Sequence, residues 1–309
     1  MTRTVKALLS GAVLCVLGFA VAFLGYYMNG YRTDNILIMA DTADATLFQK
    51  TYSSSDPDAL TLISITTKRM PVTVMTHEGP DITVEYYESE EQTFLITEER
   101  GKLFIKRNDL KLFDEYVTSA INAWFFRLKG IPNEIIIYMP SSYDQELIIS
   151  TSSGDISIPE PLAFSGIKKI DFKTVNGDIS MQSLSGNIAN LKTSKGVIAC
   201  NDMKFNNFTV ISTKGTITLN YIDANVLEIR TADSITQAVN IQADDITVET
   251  TDGSIRLDIL GYMVEYDITT SCKGDGVLNI SDQTGSDEAK DLTVFVEDTK
   301  ATVTFSLDK

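Results

Sequence analysis

Residues 147–158 read Leu-Ile-Ile-Ser-Thr-Ser-Ser-Gly-Asp-Ile-Ser-Ile, and residues 170–181 read Ile-Asp-Phe-Lys-Thr-Val-Asn-Gly-Asp-Ile-Ser-Met. Each phrase is an apolar/polar alternation closed by Thr, a short polar turn, and a second alternation. The turn recurs as Thr193-Ser194-Lys195-Gly196, Ser212-Thr213-Lys214-Gly215, Thr231-Ala232-Asp233-Ser234, Thr250-Thr251-Asp252-Gly253 and Ser271-Cys272-Lys273-Gly274. From Gly154 through Gly177, Gly196, Gly215, Ser234 and Gly253 to Gly274, the landmark advances by 23, 19, 19, 19, 19 and 21 residues. A fixed period of this length marks stacked coils, each burying its apolar side against its neighbours. The spacing predicts a mainly β chain: a single-chain β-solenoid, a β-helix-like stack of ~19-residue coils.

Within a coil the alternation has period two, so one set of side chains points inward and the other outward. Leu147 and Ile149, Ile170 and Phe172, Phe208 and Val210, Leu227 and Ile229, and Ile246 and Val248 form the inward set before the turn. Ile156 and Ile158, Ile179 and Met181, Ile198 and Cys200, Ile217 and Leu219, and Ile255 and Leu257 form it after. Two short strands per coil follow, joined by a turn whose glycine is expected to supply positive φ. The Thr or Ser closing the first strand predicts a ladder of hydroxyls serving buried backbone groups at the turn. Cys200, on an inward position, reads as a small hydrophobe. Ser234 breaks the glycine series, and Ile235 reaches the inward row only by skipping a residue, so a bulge or slip is expected there.

Ala7 to Met28 carries no charge, and 22 helical residues span about 33 Å, enough for a bilayer core of about 30 Å. Arg3 and Lys6 before it and Tyr26, Tyr27 and Tyr31 at its far end predict a single-pass cell-membrane anchor, cytoplasmic N-terminus inside and the bulk of the chain extracytoplasmic. Ala20-Val21-Ala22 offers a signal-peptidase site, but Phe23 and Leu24 prolong the apolar run past it. Gly11, Cys15, Gly18, Ala22 and Gly25 line one stripe of this helix and are candidates for helix–helix contact and self-association. The expected organisation is a cytoplasmic tip and transmembrane anchor over 1–28, a polar spacer over 29–59 holding a short apolar patch Ile36 to Met39, and the solenoid over 60–309. A helical insertion is expected at about 110–129, where Leu110, Phe113, Val117, Ala120, Ile121, Trp124 and Leu128 recur at helical spacing. Leu292 to Val296 and Ala301 to Leu307 predict a terminal hairpin or last coil.

The formal net charge is −16, which argues against nucleic acid as a partner. Cys200 and Cys272 lie about four coils apart, about 19 Å at ~4.8 Å per coil, beyond the ~7 Å a disulfide spans. His77 is the only histidine, so neither a His-dependent nucleophile nor a His-rich metal site is expected, and no phosphate- or dinucleotide-binding fingerprint appears. No cofactor, metal or catalytic residue is assigned. Asp155 and Asp178 each follow a turn glycine and stack, but Val197 and Thr216 end the acidic run. The pair reads as solvated turn aspartates, with weak cation binding and acid–base catalysis as the alternatives.

Tyr138-Met139-Pro140, followed by the Gly154 and Gly177 phrases, is similar to a bacterial β-strand-repeat domain-of-unknown-function family labelled "putative adhesin". The similarity spans roughly residues 60–280. It implies a β-solenoid on a bacterial envelope, often membrane-anchored, and some relatives are thought to accompany envelope-stress systems. The expected function is a membrane-anchored, extracytoplasmic, non-catalytic adhesion or interaction scaffold of the cell envelope, with a protein or an envelope polysaccharide as partner. An envelope-stress or signalling accessory and a carbohydrate-active β-helix enzyme are the alternatives.

Overall fold

Strands stacked one coil on the next make up the computed structural model, which describes residues 48–54, 56, 59–88, 93–108, 134–159, 166–286 and 289–306. The strands are β1 (Phe48–Ser53), β2 (Leu62–Thr66), β3 (Val72–His77), β4 (Thr83–Glu88), β5 (Thr93–Glu99), β6 (Lys102–Asn108), β7 (Ile135–Pro140), β8 (Glu146–Ser150) and β9 (Ile156–Ile158). They continue with β10 (Ile167–Lys173), β11 (Ile179–Thr193), β12 (Val197–Ser212), β13 (Thr216–Ile259), β14 (Tyr266–Lys273), β15 (Val277–Leu278), β16 (Lys290–Glu297) and β17 (Thr299–Phe305). β8, β10 and the last halves of β11 and β12 pair in parallel before the landmark turn; β9 and the first halves of β11, β12 and β13 pair after it. The architecture is therefore mainly β and solenoid-like. The inward rows named from the sequence are buried, with Ile149, Phe172, Ile179, Ile198, Val210 and Leu227 at 0–1% exposure.

Each coil has three sides rather than two. Between β11 and β12 the register runs through 179–182, 184–186 and 188–193 and is interrupted at Ser183 and Asn187. The short third side buries Leu184, Met203 and Phe205. Its first corner holds Ser183, Asp202, Tyr221 and Asn240, all with φ between 49° and 59°. These four share no residue type, which is why the pattern hides the corner; Asn, Asp and Ser tolerate the left-handed region, whereas Tyr does so at a cost.

The landmark glycines answer to a different constraint from the one expected. Gly154, Gly177, Gly196 and Gly215 are not in the positive-φ region; only Gly253 and Gly274 are. They are needed because the coils nearly touch. A Cβ on Gly177 would lie 2.1 Å from the carbonyl oxygen of Gly154, and one on Gly196 would lie 1.8 Å from that of Gly177. Behind them the hydroxyl ladder forms: Thr174, Thr193 and Ser212 each accept the N–H of the glycine three residues on, at 3.0 Å. The same corner exists one coil earlier, where Thr67 donates to Met70 O at 3.1 Å and that oxygen faces Gly154. The missing glycine at residue 70 conceals it in the sequence.

At Ser234 the register holds and the expected slip does not occur. Ile235 turns outward, 61% exposed, and Thr236 takes the inward place between Ile217 and Ile255 at 2%. The pleat of the neighbouring coils fixes the face, since a one-residue shift would turn every following side chain over. The consequence is a buried Thr236 hydroxyl without a hydrogen-bond partner. Thr236→Val removes that group at constant shape, and is expected to raise the unfolding free energy by about 1 kcal/mol in urea titration; a lower midpoint would contradict this.

Both ends of the stack depart from chain order. β2 pairs with β8 on one side and β6 on the other, while β3 lies between β9 and β7. The coil formed by β2 and β3 thus sits inside the one formed by β6 and β7, although it comes first. At the other end, β16 lies between residues 245–250 and β14, and β17 lies between residues 253–259 and β15. The C-terminal segment is a parallel last coil, not a hairpin, and it occupies the penultimate position in space. This puts a further rung between Cys200 and Cys272.

Antiparallel strands close the N-terminal end: β5 on β6, β4 on β7, and β1 on β4. β1 falls within the expected spacer, so that segment ends in an edge strand. The outer edge of β14 is bridged by Gln283, which exchanges both backbone hydrogen bonds with Ile268. Such covers protect sheet edges. The expected anchor, its stripe Gly11, Cys15, Gly18, Ala22 and Gly25, the apolar patch at 36–39 and the helix at 110–129 lie outside the described residues. Among the described residues no helix is long and apolar enough to cross a membrane.

Candidate functional site

The outward rows of the strands that follow the landmark turn form one continuous surface. The row three residues beyond the landmark is Ser157, Ser180, Ala199, Thr218 and Gln237; the row two further on is Pro159, Gln182, Asn201, Asn220 and Val239. No charge occurs in these five coils, although the chain carries −16 overall; one coil further on, the same rows continue as Arg256 and Asp258. The side before the turn differs, presenting Asp171, Lys173, Lys192, Glu228, Arg230 and Glu249. Within the uncharged block Ser180, Ala199 and Thr218 are small, and a shallow cavity of about 380 Å³ opens there, bounded by Ile158 and Pro159 at one end and by Gln182, Asn201 and Asn220.

The carboxamides are held in place. Asn220 donates to Asn201 Oδ1 at 2.8 Å, and Asn240 donates to Asn220 Oδ1 at 3.2 Å. A second ladder runs Asn225 to Asn206 to Asn187 around the next corner, at 3.3 and 2.8 Å. Amides on neighbouring coils chain together because each has donors and acceptors to spare, Asn240 reaching Asn220 from the corner position one residue on. Next to Asn220 in the chain stands Tyr221, 58% exposed at the left-handed corner. The outward positions, compared coil by coil, carry the signal of this surface in the sequence; the landmark turn alone does not.

Asp155 and Asp178 do stack, and their chemistry is structural. Asp155 Oδ1 accepts the Asp178 N–H at 2.8 Å, and Asp178 Oδ1 accepts the Val197 N–H at 2.7 Å. Each carboxylate thereby caps a backbone donor of the next coil. No group of three or more His, Cys, Asp or Glu placed to hold a metal occurs among the described residues. His77 serves its own turn: Gly79 N–H donates to Nδ1 at 3.1 Å, and Nε2 lies 2.5 Å from Asp81 O, so the proton resides on Nε2. The landmark residues Gly154, Gly177, Gly196, Gly215, Ser234 and Gly253 stack along one corner, while Gly274 faces the Asp298 carboxylate of the intercalated coil.

Cys200 lies beneath the cavity at 3% exposure, and burial pushes its thiol up, away from the reactive thiolate. Cys272 is exposed. Peptide-resolved iodoacetamide labelling of the native chain is expected to modify Cys272 at least about tenfold faster than Cys200, with the difference abolished in denaturant. Fast native labelling of Cys200 would contradict its place in the core.

None of the curated proteins matches the sequence significantly. Three solved structures resemble the chain. A "putative cell adhesion protein" from Clostridium sporogenes is 11% identical over 84% of this chain and 100% of its own, with a TM-score of 0.34. "Putative adhesins" from Bacteroides fragilis (14%, 84% and 97%, TM-score 0.43) and Parabacteroides merdae (8%, 83% and 95%, TM-score 0.36) are similar at the same level. The assignment rests on sequence: residues 60–289, more than half of the chain, match the Toastrack DUF4097 description. The chain belongs to the Toastrack DUF4097 family.

Proposed function

We propose that this protein is a non-catalytic interaction scaffold of the bacterial envelope, held outside the cell by its N-terminal apolar segment and binding its partner through the uncharged block of outward rows between Ser157 and Val239. The observation that carries this reading is the cavity itself. Its polar groups are hydroxyls and carboxamides, which hydrogen-bond but neither donate nor accept protons as acids or bases near neutral pH. The buried Cys200 beneath it is not a nucleophile in that state. The adhesin descriptions of the three similar structures are in keeping with a binding role.

A rigid coil stack suits such work, because its register fixes side chains at repeating intervals. The small-residue stripe Gly11 to Gly25 gives the anchor a surface for self-association within the bilayer. The test is capture from intact membranes by the full chain, by a chain lacking residues 1–28, and by a full chain carrying Thr218→Arg. The reading expects one defined envelope component, retained by the full chain and lost with Thr218→Arg. It also expects the chain without residues 1–28 to leave the membrane fraction. Identical capture by the full chain and Thr218→Arg would contradict the assignment of the face.

A further inference from the structure

We infer that the uncharged cavity and the adjacent Tyr221 form a binding site for a neutral glycan chain. The inference rests on the scaffold reading above and names the ligand class of its face. Tyr221 is the first observation. At the corresponding corner the other coils place Ser183, Asp202 and Asn240, all small and polar. A tyrosine held at φ 54° is disfavoured, and strain of this kind collects at functional sites. The residue is nonetheless 58% exposed, so core packing does not explain it. An exposed aromatic with an apolar face and a polar tip is the side chain that stacks on the C–H face of a sugar ring while hydrogen-bonding at its rim.

The amide ladder is the second observation. Asn220 spends one N–H on Asn201 and one carbonyl lone pair on Asn240. By its inventory of two donors and two acceptor sites, one N–H and one lone pair remain. The ladder thus holds the amide while leaving one donor and one acceptor unspent. Sugar hydroxyls each offer one donor and two lone pairs and match that pattern. Pre-organised partners bind without the cost of ordering them.

The competing ligands fit less well. A polyanion needs Lys or Arg, and the cavity has none. A peptide adding as a strand needs a free sheet edge, whereas the backbone at Asn201, in the middle of the cavity, is already paired with Gln182 on one side and with Asn220 on the other. Coil spacing of about 4.8 Å repeats the amides at a scale comparable with one hexose unit, so an extended chain of sugars along the stack meets successive rungs in step.

The experiment is calorimetric titration of the full chain in detergent with chitohexaose and cellohexaose, and with polygalacturonate and a neutral Ser/Asn hexapeptide as comparators. At least one of the neutral hexasaccharides is expected to bind, with an affinity unchanged between low and high NaCl. Tyr221→Asn and Asn220→Ala are each expected to weaken it about tenfold or more. Tyr221→Asn should melt no lower than the parent, because Asn favours the left-handed corner, so lost binding cannot be ascribed to unfolding. Binding of neither neutral hexasaccharide, equal binding by both variants, or binding of polygalacturonate or the peptide through these residues overturns the inference. Membrane capture that survives Tyr221→Asn, with no hexasaccharide bound, defeats the glycan assignment but leaves the scaffold reading; loss of all capture by the unaltered chain defeats that reading instead.

Discussion

Gly196→Ala is expected to lower the unfolding free energy by about 3 kcal/mol or more, the upper end of what overpacking a well-packed interior costs. The single methyl would lie 1.8 Å from the Gly177 carbonyl oxygen and 3.1 Å from Asp178 Oδ1. The carbonyl is backbone, so no rotamer change relieves the clash. Relief requires the two coils to part at that corner. Parting them strains the hydrogen bond from the Thr193 hydroxyl to Gly177 O, 3.4 Å, and the bond from Val197 N–H to Asp178, 2.7 Å. Thr193 is fully buried, so water cannot replace what is lost. Lys195→Ala, one residue away and exposed, is the control and should change stability by no more than about 0.5 kcal/mol. Equal urea midpoints for the two variants would contradict the close approach of the coils.

Ending the chain at Ala289 is expected to remove two coils rather than one. β16 and β17 bury Leu292, Val294, Val296, Ala301, Val303 and Phe305. At about 1.5–3 kcal/mol per buried side chain, their loss removes on the order of 10 kcal/mol, comparable with the whole stability of a typical domain. The topology adds a second penalty. β14 pairs in parallel only with β16, and β15 only with β17, so the coil carrying Cys272 and Gly274 loses its seat. The outer edge of residues 245–259 is exposed at the same time, a template for aggregation. Limited proteolysis with peptide mapping should show rapid cleavage within 260–285 in the shortened chain. Protection of that segment, as in the full chain, would mean that the coils are stacked in chain order.

The interior of the stack was legible because two local signals coincide in it. Alternation of period two sets which residues point inward, and the Thr-x-x-Gly turn sets where each strand ends. Where Thr236 replaces an aliphatic residue, the second signal is absent and the first misleads; neighbouring coils, not local pattern, keep the register. The left-handed corner escaped notice because Ser183, Asp202, Tyr221 and Asn240 solve one backbone problem with four side chains. The inward placement of the first and last coils was invisible for a different reason. Strand pairing is decided over the chain's return path, and the alternation in β16 fits either side of β14 equally well. Of the candidate site, Asp155 and Asp178 stand out in the sequence by their charge, yet both carboxylates are taken up by backbone N–H groups. The uncharged rows beside them carry no motif and become visible only once the coils are superimposed.

Cross-linking by cysteine pairs tests the stacking order most directly. With Cys15→Ser and Cys272→Ser as background, Thr247→Cys is combined either with Thr293→Cys or with Thr269→Cys. Thr247 and Thr293 are direct register partners, as are Thr293 and Thr269. Adjacent strands lie about 4.8 Å apart, within reach of a disulfide, while a gap of two coils, about 9.6 Å, is beyond it. Mild oxidation is therefore predicted to bridge 247 with 293 and to leave 247 and 269 as free thiols. A bridge between 247 and 269, with none between 247 and 293, would contradict the intercalated last coil and the stack built on it.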